Sequence, residues 1–102
     1  MTLSQLNLLK TNYEQLRISL QTIVSKNEIL IDKINQMNSN YSNTFEIDGS
    51  VIEANLFVDS RTECEVQNNE IRNTMIPSIA TKILEIESQI QELSVVSSLS
   101  DL

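Results

Sequence analysis

This chain of 102 residues predicts an all-α fold, an antiparallel helical hairpin whose second arm is kinked near Pro77. Three observations carry that prediction. The chain has one Gly and one Pro, against ordinary usage of about 7% and 5%, so a fold with many tight turns is excluded. Both halves carry apolar columns that advance in alternating steps of three and four residues, the signature of a helical seam. The one strong turn signal, residues 38–50 (NSNYSNTFEIDGS), falls near the midpoint, where it lets two arms fold back along each other.

The first helix is expected over residues 4–41, with Thr2 or Ser4 as its cap. Its seam runs Leu6, Leu9, Tyr13, Leu16, Leu20, Ile23, Asn27, Leu30, Ile34, Met37, Tyr41. That is an a/d heptad pattern held for about five heptads. Asn27 alone interrupts its apolar character, and a polar residue in such a seam can set register at some cost in stability. Leu8, Ile18, Val24, Ile29 and Ile31 flank the seam and widen it toward the face of a bundle.

A turn follows over 42–49. Its short polar side chains compete for backbone hydrogen bonds, and Gly49 supplies positive φ at low cost. The second arm is expected to start near Gly49 or Ser50 and run over 50–74. Ser50 and Glu53 have the S-x-x-E spacing of a capping box, and the arm then carries Ile52, Leu56 and Phe57. The stretch 59–73 is apolar only at Cys64, Val66 and Ile71. Pro77 lacks the helical N–H and crowds the preceding turn, which predicts a kink or a short break near Asn73–Ile76. From there a helix over 77–95 continues the heptad through Ile76, Ile79, Ile83, Ile86, Ile90 and Leu93, and the Ser-rich tail 96–102 is expected to fray. The whole is read as a single domain, 1–102. Pairing outward from the turn sets Ile52 and Leu56 near Tyr41 and Met37, and Ile86–Leu93 near the N-terminal leucines.

Two helices cannot bury both sides of a widened seam. The chain is therefore expected either to dimerise into a four-helix bundle or to pack on a helical arm of another protein. The residues expected to carry that binding are Ile18, Val24, Ile29 and Ile31 on the first arm, with Ile83, Ile86 and Ile90 on the second.

Charge narrows the partners. Net charge is −7, unevenly spread. Residues 1–41 carry four cations against three acids; residues 42–75 carry seven acids against two arginines; residues 76–102 carry four acids against Lys82. An acidic surface repels phosphate, so nucleic acid is not an expected partner. No stretch approaches the roughly 18 apolar residues of a membrane span, and the opening MTLSQLNLLK has neither the basic nor the apolar region of a signal peptide. A cytoplasmic protein is expected, or one exported without a cleavable signal.

Catalytic chemistry finds little to work with, and the chain is expected not to be an enzyme. The absence of His removes the commonest general base and the commonest transition-metal ligand. A single Gly excludes a glycine-rich phosphate loop. Glu63 and Glu70, like Glu85 and Glu92, are seven apart, but no Glu-x-x-His accompanies them, so no metal site or cofactor is expected. Cys64 has no partner for an internal disulfide and reads as a small apolar packing residue.

The outline of about a hundred residues, two long helices and a midpoint turn resembles the WXG-type small helical hairpins of type VII (ESX-like) secretion. Within that group it is most similar to the accessory partners, or chaperones, of LXG toxins. The family's W-x-G tripeptide lies in the inter-helix turn; Ile47-Asp48-Gly49 stands at that place, with the glycine kept and tryptophan replaced by Ile47. The family also places an acid four residues after an aromatic. Here Arg17 follows Tyr13, Phe45 follows Tyr41, Gly49 follows Phe45 and Arg61 follows Phe57. A member with this sequence would rely on a partner for the export signal. The resemblance implies a non-enzymatic targeting adaptor that binds the helical N-terminal domain of a larger effector, a second small helical protein, or both. The rival expectations are a structural coiled-coil subunit of a larger assembly and a self-assembling filament subunit of a secretion apparatus.

Overall fold

The computed structural model describes residues 1–44, 46–47, 50–51 and 57–100. In chain order these form α1 (Leu3–Thr44), β1 (Glu46–Ile47), β2 (Ser50–Val51), α2 (Val58–Glu70), a π-helical segment (Ile71–Met75) and α3 (Ile76–Ser100). The expected helical hairpin is the architecture found.

Thr2, rather than Ser4, caps α1. The Gln5 N–H donates to Thr2 Oγ1 at 3.1 Å, and the Thr2 N–H donates to Gln5 Oε1 at 2.9 Å. This reciprocal box satisfies two donors at the helix start. The helix then runs to Thr44, three residues beyond the expected end at Tyr41. Each Ser or Asn in its last turns costs only about half a kcal/mol relative to Ala, and adding a turn to an existing helix is far cheaper than starting one.

The expected start of the second arm is corrected. Ser50 does not cap a helix; it lies in β2, where the register pairs Ile47 with Ser50 and Glu46 with Val51. β-branched Ile47 and Val51 flank the Asp-Gly pair, the sequence pattern of a two-residue hairpin, and that preference prevails over the S-x-x-E spacing. Asp48, Gly49, Ile52, Glu53 and Leu56 lie outside the described residues. Helix α2 begins at Val58. Ahead of it, Phe57 holds φ at 60° while its carbonyl accepts the Arg61 N–H at 2.9 Å. A left-handed backbone at a bulky side chain is strained by about 1–2 kcal/mol.

The feature at Pro77 is a π-helical segment, Ile71–Met75, and helical structure passes through it from Val58 to Ser100. Its origin is a phase conflict in the second arm. Before the segment the inward positions are Arg61, Cys64, Asn68 and Ile71; after it they are Ile76, Ile79, Ile83, Ile86, Ile90 and Leu93. The second set is displaced by one residue from the heptad of the first. A turn closed by i→i+5 bonds takes up one residue more than an α turn, so both sets can face inward. The wider turn also lies where the proline ring would crowd an α-helical carbonyl. Ser78 Oγ donates to the Thr74 carbonyl at 2.6 Å, and Thr81 Oγ1 to the Pro77 carbonyl at 3.1 Å. Past residue 95, where the helix was expected to end, α3 continues to Ser100; Ser94 Oγ bonds back to the Ile90 carbonyl at 3.0 Å, which leaves the serine compatible with the helix.

Contacts divide the chain into two compact units. In the terminal unit, Met1–Gln21 with Ile71–Leu102, the core is Leu6, Leu20, Ile71, Ile79, Ile83 and Ile86. Its strands of chain are antiparallel: Leu6 borders the same hollow as Gln89 and Leu93, and Lys10 Nζ lies 3.3 Å from Glu87 Oε1. In the central unit, Thr22–Glu70, the buried side chains are Val24, Ile34, Asn38 and Asn68. Among the described residues, no helix is long and apolar enough to cross a membrane.

Candidate partner-binding surface

Helix α1 does not bury the a/d seam its sequence predicts. The a positions Leu6, Tyr13, Leu20, Asn27 and Ile34 are buried or half-buried, as expected. Between them, however, the inward places go to Lys10, Arg17, Val24, Ile31 and Asn38. Those residues sit on the other side of the a column. Of the expected d residues, Leu9 is half-buried, while Leu16, Ile23, Leu30 and Met37 remain 38–45% exposed.

Polar contacts explain which flank turned in. Lys10 reaches Glu87, Asn68 Nδ2 donates to the Val24 carbonyl at 3.3 Å, and Arg61 Nη1 donates to Asn35 Oδ1 at 2.8 Å. All three lie on the Lys10–Val24–Asn38 side of the helix. A buried amide left without a partner costs roughly 1–3 kcal/mol, comparable with moving an aliphatic side chain partway into solvent.

The expected binding residues are therefore divided. Val24, Ile83 and Ile86 are buried in the chain's own core, which corrects their assignment to a partner surface. Ile31 and Ile90 are half-buried, while Ile18 and Ile29 are exposed. Of the expected turn motif, Ile47 pairs in β1, and Asp48 and Gly49 lie outside the described residues. Asn27 faces the second arm. Its Nδ2 donates to Gln67 Oε1 at 2.7 Å and to Asn68 Oδ1 at 2.9 Å. Asn68, only 3% exposed, is held by this bond and by the Val24 carbonyl, so the pair links one level of α1 to one level of α2.

Sequence reasoning missed the surface next to this pair. Within the central unit, Leu30, Lys33, Ile34, Met37, Phe57 and Ser60 line an open apolar groove of about 350 Å³. Of these, Ile34 is buried and Phe57 is 60% exposed. The available signal is the d column itself, which the heptad pattern places inward. In the terminal unit two hollows share Glu92 and Val96, one against Ser88, Gln91 and Val95 and the other against Met1, Leu6, Gln89 and Leu93. Cys64 is a half-buried free thiol. No group of three metal-ligating side chains occurs among the described residues.

Comparison with protein families, curated proteins and solved structures yields no match to this chain.

Proposed function

We infer that the chain is a non-enzymatic helical adaptor that pairs with a helical domain of a larger effector and accompanies it to export by a type VII (LXG-toxin-like) route. One observation carries the pairing: within the central unit α1 leaves Ile23, Leu30 and Met37 exposed at strict seven-residue steps. That spacing is what the side chains of another helix interdigitate with. Burying such a column stabilises a complex by about 25 cal/mol per Å² before the cost of association. The secretion class rests on the Ile47-Asp48-Gly49 resemblance at the turn, with the export signal supplied by the partner. Co-expression with the helical N-terminal domain of an effector encoded beside this chain tests the reading. A stable stoichiometric complex is expected. Its absence, together with concentration-dependent polymers of the isolated chain in light scattering, would replace the adaptor with a filament subunit.

A further inference from the structure

We propose that the Ile23–Met37 face of α1, with the groove beside Phe57, is the docking site for one amphipathic helix of another protein, apolar along its contact stripe and flanked by carboxylates. The inference rests on the reading of the chain as a helix-binding adaptor and names the chemistry of its partner.

The face is built from Ile23, Lys26, Leu30, Lys33 and Met37, successive in steps of three and four and all exposed. It therefore forms one stripe on the helix, alternating apolar and cationic. Ile29, 59% exposed, widens it beside the lysines. The acids of α1 in this span, Glu28 and Asp32, fall outside the stripe at about 100° per residue. Neither Lys26 nor Lys33 enters an ion pair among the described residues. On a chain of net charge −7, two lysines seven residues apart thus coincide with the heptad-spaced exposed apolar column.

This coincidence selects the occupant. A second copy docking through the same stripe would bring Lys26 and Lys33 against their own counterparts, and like charges flanking a helix seam disfavour pairing. A helix with Glu or Asp beside its apolar stripe meets both lysines with opposite charge, the arrangement by which flanking charges choose partners in helical seams. Phe57 also lines the groove. Its side chain stands exposed on a backbone held in the left-handed region, where an aromatic ring can close over an inserted apolar residue.

Two synthetic helical peptides test this, identical in their leucine stripe and flanked by Glu in one and Lys in the other. Fluorescence anisotropy with the full chain should show the Glu-flanked peptide binding about tenfold more tightly, weakening as salt is raised. Lys33→Glu should invert that preference, and Leu30→Ser should abolish binding of both, with helical circular dichroism unchanged. Equal binding of the two peptides, or binding indifferent to Leu30→Ser and Lys33→Glu, would overturn the proposal. So would a dimer in sedimentation that Leu30→Ser dissolves and the Glu-flanked peptide leaves intact, since the occupant would then be a second copy. The adaptor reading is separated by the co-expressed effector domain. A complex that survives both substitutions removes this site and leaves the adaptor; peptide binding without any effector complex leaves the site and removes the secretion role.

Discussion

The two units of the hairpin are held by different means. In the terminal unit, Leu6 and Leu20 meet Ile71, Ile79, Ile83 and Ile86, an aliphatic core with ion pairs only at its margin. In the central unit, Val24 and Ile34 share the interior with Asn38 and Asn68, and the arms are joined by hydrogen bonds from the Asn27 amide to Gln67 and Asn68. Aliphatic packing is strong and non-directional, so it tolerates sliding by a heptad. Buried amides add little net stability, but each wrong register leaves one unsatisfied. Strength and alignment are thus carried by different parts of one seam. The unit with the buried amides is also the one bearing the apolar groove.

Substitutions can break this contrast, and the largest effect belongs to the terminal unit. Leu6→Ala removes a fully buried side chain and should cost about 2–5 kcal/mol, enough to lower the melting temperature by 10 °C or more at roughly 4–8 °C per kcal/mol; thermal denaturation followed by circular dichroism checks it. Asn68→Ala should cost less, about 1–3 kcal/mol, because it strands the Asn27 donor and empties a buried site. The double change Asn27→Leu with Asn68→Leu sharpens the comparison. It removes both amides together, so stability should recover to the parent value or exceed it, while size-exclusion chromatography should reveal a second pairing state. If the double variant melts below Asn68→Ala alone, alignment is not what the asparagines provide.

Smaller effects follow. Phe57→Asn places at φ 60° a residue that tolerates the left-handed region, and should raise stability by about 1 kcal/mol in urea unfolding. Lys10→Ala removes a partly exposed pair with Glu87 and should cost no more than about 1 kcal/mol, with a double-mutant cycle against Glu87→Ala measuring the pair itself.

Much of this was legible in the residues, for identifiable reasons. Helix α1 follows from a period repeated over about five heptads, and Thr2 or Ser4 offered its start; the reciprocal bonds with Gln5 single out Thr2. Asn27 stood out because every seam neighbour is apolar. Other features were not legible. Ser50–Glu53 imitates a helix cap, and only the pairing of Ile47 with Ser50 shows that the chain is extended there. Pro77 announced a disturbance in the helix. That it takes the form of a π segment follows from the one-residue offset between the Asn68–Ile71 and Ile76–Ile79 inward positions, visible once both sets are seen packed.

The sequence by itself determined the hairpin, because helical periodicity and the scarcity of Gly and Pro are local properties that no partner can alter. Tertiary structure decided which flank of the seam faces inward. The a column of α1 has apolar neighbours on both sides, and periodicity weighs them nearly equally. Glu87, Arg61 and Asn68 break the tie from the other arm by engaging Lys10, Asn35 and the Val24 carbonyl. With that side turned inward, Leu30 and Met37 are left outside beside Lys33, and the surface proposed for a partner comes into being.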